Sequence, residues 1–81
     1  MTYNEIFDKF KQSILLTIPK IDPHAISLDR DLSSLGANSI DRVEIIVNTL
    51  AEMNLRIPLV DFGNKKDIKS IIDHMYNAVD H

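Results

Sequence analysis

Apolar residues recur at the helical period in three separate stretches of this chain, with no strand-like alternation between them. This periodicity constrains the fold more than any other feature, because each amphipathic stripe must find a partner that buries it. The first stripe is Tyr3, Ile6, Phe7, Phe10, Ile14 and Ile18. It opens behind Thr2 and Glu5, which are spaced for a capping box, and it stops at Pro19, which lacks the backbone N–H a helix needs. The last stripe begins near Asp67 and sets Ile68, Ile71, Ile72, Met75 and Val79 on one face. The middle helix is expected from Asn38 or Ser39 to about Asn54. Gly36 gives backbone freedom just before it, Asn38 is its N-cap, and Asp41 lies near the positive end of its dipole.

The connections carry their own signals. Residues 19–38 form a long first loop, in which Asp22-Pro23 is suited to start a turn of helix. Ile26, Leu28, Leu32 and Leu35 are spaced as anchors that pin this loop to a core, and a loop of this length in a small domain is commonly functional. Pro58 breaks the chain again, and residues Leu59 to Gly63 are expected to make one short helical turn with Phe62 pointing inward. The expected fold class is therefore all-α: a small four-helix bundle of three long helices and one short one, as a single domain over residues 1–81.

Charge and size exclude several functions. The 81 residues carry a net charge of −3, and the stretch 29–52, with Arg30 and Arg42 against Asp29, Asp31, Asp41, Glu44 and Glu52, accounts for all of it. A localised acidic field steers basic partners and argues against nucleic acid or an anionic membrane; the plainer alternative is a solvated helix face. With no cysteine, neither a disulfide framework nor a thiolate metal site is available. No apolar run approaches the ~20 residues that span a bilayer, and no signal segment opens the chain, so the expected compartment is the cytoplasm. A domain this small buries roughly 60% of its unfolded surface and has little room for a deep catalytic cleft. His24, His74 and His81 are scattered, and read as surface histidines. Asp41 and Glu44 lie one turn apart but lack a third ligand. Neither catalytic residues nor a metal site are expected.

The middle helix is too apolar for one buried stripe. If Ile46, Thr49 or Leu50, and Met53 serve the core, then Ile40, Val43 and Val47 remain near the surface, interleaved with Asp41 and Glu44. An exposed apolar strip rimmed by acids suits a docking helix; a helix buried on two sides is the alternative. Ser39 stands at the first turn, directly after Leu35-Gly36-Ala37-Asn38. Its hydroxyl is expected to be exposed where free N–H groups favour a phosphate, although a serine that merely caps the helix would look the same.

The run Leu35-Gly36-Ala37-Asn38-Ser39-Ile40-Asp41 resembles the Gly-x-Asp-Ser-Leu/Ile signature of acyl carrier proteins, and the helix order, length and acidity resemble that family over the whole chain. The resemblance implies the acyl-carrier type of bundle, with 4′-phosphopantetheine attached to Ser39 from coenzyme A by a separate phosphopantetheinyl transferase. It also implies docking through Asn38, Ile40, Asp41, Arg42, Val43, Glu44 and Val47. One departure stands out: Asn38 occupies the position where the family usually has Asp, which removes a charge but keeps the cap. The run from Gly36 to Ile46, with Leu55-Arg56-Ile57-Pro58, is similar to free-standing donor carriers of polyketide β-branching cassettes. That similarity implies a malonyl acyltransferase, a decarboxylating ketosynthase-like enzyme and a hydroxymethylglutaryl-CoA-synthase-like enzyme as partners of a monomeric carrier that is not itself an enzyme. Arg42 would then be a positive point on the docking face that helps the synthase choose donor over acceptor carriers. The alternatives are a general fatty-acid or polyketide carrier, an aminoacyl or peptidyl carrier, and a non-covalent helical interaction module.

Overall fold

The computed structural model describes residues 1–79. It contains three α-helices: α1 (Tyr3–Thr17), α2 (Ser39–Glu52) and α3 (Ile68–Ala78). Pro23–Ala25, Ser33–Leu35 and Leu59–Phe62 are single 3₁₀ turns. The short fourth element expected after Pro58 is a single 3₁₀ turn, since only four residues separate Pro58 from Gly63. Among the described residues there is no β-strand, and Asp31 and Asp67 form one isolated antiparallel bridge.

The helix ends follow their capping chemistry. At α1, Glu5 N donates to Thr2 Oγ1 and Thr2 N donates to Glu5 Oε1, the reciprocal box that the sequence predicts. At α2, Asp41 N donates to Asn38 Oδ1 and Asn38 N donates to Asp41 Oδ2, a second such box. Its C-terminus closes with Asn54 in the left-handed region at φ 52°. Leu55 N reaches back to Leu50 O and Asn54 N to Ala51 O, which is the Schellman arrangement. Gly36 has φ 99° at the end of the second 3₁₀ turn, a conformation that costs an L-residue about 1–2 kcal/mol, and it turns the chain into Ala37 and the start of α2.

The core forms where the three stripes meet. Ile6, Phe10 and Ile14 of α1, Ile45 and Ile46 of α2, and Ile68, Ile71, Ile72 and Met75 of α3 are buried. Each such side chain stabilises the fold by about 1.5–3 kcal/mol relative to exposure. α1 packs on both other long helices. Its Ser13 lies 3.1 Å from Thr49 Oγ1 of α2, and Thr49 donates to the Ile45 carbonyl, so both buried hydroxyls are satisfied. Ile26 and Leu32 anchor the long loop as expected, and Phe62 is buried beneath the third 3₁₀ turn.

Two connections were not visible in the pattern. The loop supplies backbone acceptors to α3: Ile68 N donates to Arg30 O (2.9 Å) and Lys69 N to Leu28 O (2.8 Å). Asp67 accepts from Ser70 N, so the three leading amides of α3 are all partnered. Tyr3 Oη donates to Asp73 Oδ1 (2.7 Å), tying the start of α1 to α3, and Lys69 sits 2.7 Å from the other carboxylate oxygen. The hydrogen bonds from Lys69 and then Tyr3 hold Asp73 below the usual carboxylate range. Burial, followed by the bond to Asp73, pushes Tyr3 up to about 12.

Candidate functional site

Ser39 is the first residue of α2, and its side chain is exposed. The Gly36 turn and the Asn38–Asp41 box put it there, since together they fix where the helix starts. It lies at a cleft of about 590 Å³ whose other walls come from Asp31–Ser33 of the long loop and from Gly63, Lys65 and Lys66. The hydroxyl is therefore open to solvent and to an incoming reagent, with space beside it for a bound group.

The apolar strip is also present. Ile40 is 71% exposed, Val43 45% and Val47 43%, whereas Ile45, Ile46, Thr49 and Leu50 face the core. The helix is buried on one side only, which resolves the two readings of its composition in favour of an open strip. Glu44 is exposed beside it; Asp41 is half-buried and engaged in the cap. Val47 also borders an apolar groove of about 470 Å³ that continues through Ala51, Leu55, Ile57 and Leu59.

Arg42 is not on this strip. At about 100° per residue it stands roughly 200° from Ile40. Its Nη2 donates to Phe62 O (2.6 Å) and Lys65 O (2.7 Å), so it crosses from α2 to the segment after the third 3₁₀ turn. The expectation of a positive point on the docking face is corrected accordingly: the charge is turned onto two carbonyls and lines the cleft beside Ser39. Asn38 is exposed but engaged in the cap.

The histidines divide. His24 is exposed, and His81 lies outside the described residues. His74 corrects the surface reading. It is half-buried against Phe62, edge to face at 5.2 Å, and its Nε2 is enclosed 3.5 Å from Asp61 Oδ2 without a hydrogen bond. Among the described residues no cluster of three or more His, Cys, Asp or Glu could hold a metal ion, and no helix is long and apolar enough to cross a membrane.

An exposed serine thus stands at the start of a helix, beside an open cleft and next to an apolar strip with an acidic neighbour. Comparison with known proteins supplies the class. The family model for the phosphopantetheine attachment site matches residues 12–75, which includes the whole of α2. The chain is also 32% identical over 79 residues to the polyketide biosynthesis acyl-carrier-protein AcpK of Bacillus subtilis (strain 168), covering 98% of this chain and 96% of that one. The chain belongs to the acyl carrier protein family. Its cofactor is covalently bound 4′-phosphopantetheine, and proteins of this family are carriers rather than catalysts.

Proposed function

We propose that residues 1–81 form a single carrier domain in which Ser39 holds the phosphopantetheine arm, and that the chain is the malonyl donor for β-branching in polyketide biosynthesis. The observation that carries the first part is the exposed Ser39 hydroxyl at the mouth of the cleft, inside the matched stretch. The polyketide name of the Bacillus relative supports the second, together with the run from Gly36 to Ile46. When bound, the arm supplies a thiol that holds acyl groups as thioesters.

The chain's own residues prepare the attachment and the docking. A phosphopantetheinyl transferase, which brings its own metal, takes the Ser39 hydroxyl as nucleophile against the pyrophosphate of coenzyme A. A phosphodiester forms on Ser39 and 3′,5′-ADP leaves. The Asn38 cap fixes the helix start without spending Ser39, so the hydroxyl stays available. Ile40, Val43 and Val47 offer a small apolar contact, and Glu44 with Asp41 steers basic partner surfaces onto it. Such docking is weak, fast and reduced by salt. The tether then sets the cargo's effective concentration at whichever enzyme is docked. The partners in this reading are a malonyl acyltransferase, a decarboxylating ketosynthase-like enzyme that leaves acetyl, and a hydroxymethylglutaryl-CoA-synthase-like enzyme that adds it to a β-ketone on another carrier. The carrier works as a monomer in the cytoplasm.

Intact mass, measured before and after treatment with coenzyme A and a broad-specificity transferase, tests the site. A gain of one phosphopantetheine is expected in the wild type and none in Ser39→Ala. Loading by a malonyl acyltransferase, set against an adenylating enzyme and a long-chain acyl transferase, then tests the donor role; equal loading with all three would overturn it in favour of a general carrier.

A further inference from the structure

The cleft beside Ser39 is a basic spot on an acidic chain. Arg42, Lys65 and Lys66 line it against Asp31 as the single acid, in a protein whose net charge is −3. The arrangement is built rather than incidental. The Arg42 guanidinium holds the carbonyls of Phe62 and Lys65 through charge-assisted bonds of 2.6 and 2.7 Å, and this draws the 62–66 segment to the start of α2. Lys66 thereby comes into the same cleft as Ser39. Lys65 also borders a shallow hollow that contains Asp73 and His74. The helix end contributes little here, because the Asp41 carboxylate already occupies it through the capping box.

We propose that this cleft seats the phosphodiester of the arm, with Arg42, Lys65 and Lys66 supplying the counter-charge. The first segment of the arm then lies along residues 63–66 instead of swinging freely from Ser39. The inference rests on Ser39 being the attachment point. It assigns the two faces of α2 different tasks: the Ile40–Val43–Val47 face meets the partner, while the Ser39–Arg42 face holds the root of the arm and gives it a direction.

The test compares apo and holo forms of the wild type, of Lys65→Gln/Lys66→Gln and of the charge-conserving Lys65→Arg/Lys66→Arg. Each holo form is verified by intact mass, and each fold by its circular dichroism melt. Amide ¹H–¹⁵N shifts and the ³¹P resonance of the arm are then recorded at low and high salt. In the wild type, attachment is expected to move the amides of Leu32, Gly63 and Lys66 as well as those flanking Ser39, with salt reducing the distant shifts. These distant shifts are expected to be lost in the Gln pair and regained in the Arg pair. A holo wild type whose Gly63 and Lys66 amides do not move, or a Gln pair that moves as the wild type does, overturns the seat while leaving the attachment site standing. A wild type that gains no mass, or a gain that survives in Ser39→Ala, overturns the attachment reading and the seat with it.

Discussion

Arg42 shows how one side chain can be assigned the wrong task by its neighbours in sequence. Between Asp41 and Val43 it looks like part of a docking face, yet its guanidinium bridges two carbonyls more than a dozen residues away. Removing it leaves the Phe62 and Lys65 carbonyls without their charged donor. Arg42→Ala is therefore expected to lower stability by about 1–3 kcal/mol, visible as a fall in the urea midpoint at unchanged slope. Arg42→Lys should recover only part of this, because an ammonium lacks the planar fork that spans both acceptors. If the two variants melt like the wild type, the bridge contributes nothing to stability and Arg42 is available to a partner after all.

At the scale of the element, the apolar composition of α2 exceeds what one buried stripe needs, and the surplus lies at the surface. Ile40 is the most exposed of its strip residues and supports little of the core. Ile40→Ala is expected to leave the melting temperature nearly unchanged and to weaken docking by about 1–2 kcal/mol, seen as a roughly 5- to 30-fold loss in kcat/KM for malonyl loading. The helices, the Thr2–Glu5 box, the Asn38 cap and the Ile26 and Leu32 anchors were legible in the sequence, with the open strip as one of two readings, because each depends on residues within a turn or two of one another. Thr2 with Glu5, and Asn38 with Asp41, need only a spacing of three. The cleft, the Arg42 bridge and the enclosure of His74 by Phe62 were not legible. They arise where α2 meets the 62–66 segment, or where α3 meets the third 3₁₀ turn, and no local period encodes which side chains face each other there. The Pro58–Gly63 bracket marks the short helical turn but does not say that it is of the 3₁₀ kind.

For the whole molecule, the contact of Tyr3 with Asp73 sets limits at both ends of the pH scale. Asp73 is held low by Lys69 and Tyr3, and Asp67 by its bonds with Ser70. A carboxyl whose folded pKa is depressed stabilises the fold above its unfolded value, about 3.9, and that contribution is lost as pH falls through the folded value. Tyr3 works in the opposite sense. Its folded pKa of about 12 lies above the ordinary value of 10.0, so its contribution is complete below about pH 10 and disappears as pH rises toward 12. Urea midpoints measured across pH should therefore fall below about pH 4 and again above about pH 10. Tyr3→Phe should flatten the alkaline fall and lower the neutral plateau by about 1 kcal/mol. An alkaline limb that persists unchanged in Tyr3→Phe would remove Tyr3 as its cause.

The leading amides of a helix ordinarily have no acceptor and exchange with solvent almost as fast as a free peptide. In α3 they do not stand open, since Ile68 and Lys69 donate to the carbonyls of Arg30 and Leu28. These two positions thus become reporters for a strap that lies far upstream. Deuterium uptake at Ile68 and Lys69 should be slow, and it should quicken together when Leu32→Ala loosens the loop, while Ile71 and Ile72 in the following turn stay protected. That pair of amides offers a way to ask which partner of this acyl carrier protein pries the long loop from the third helix when it binds.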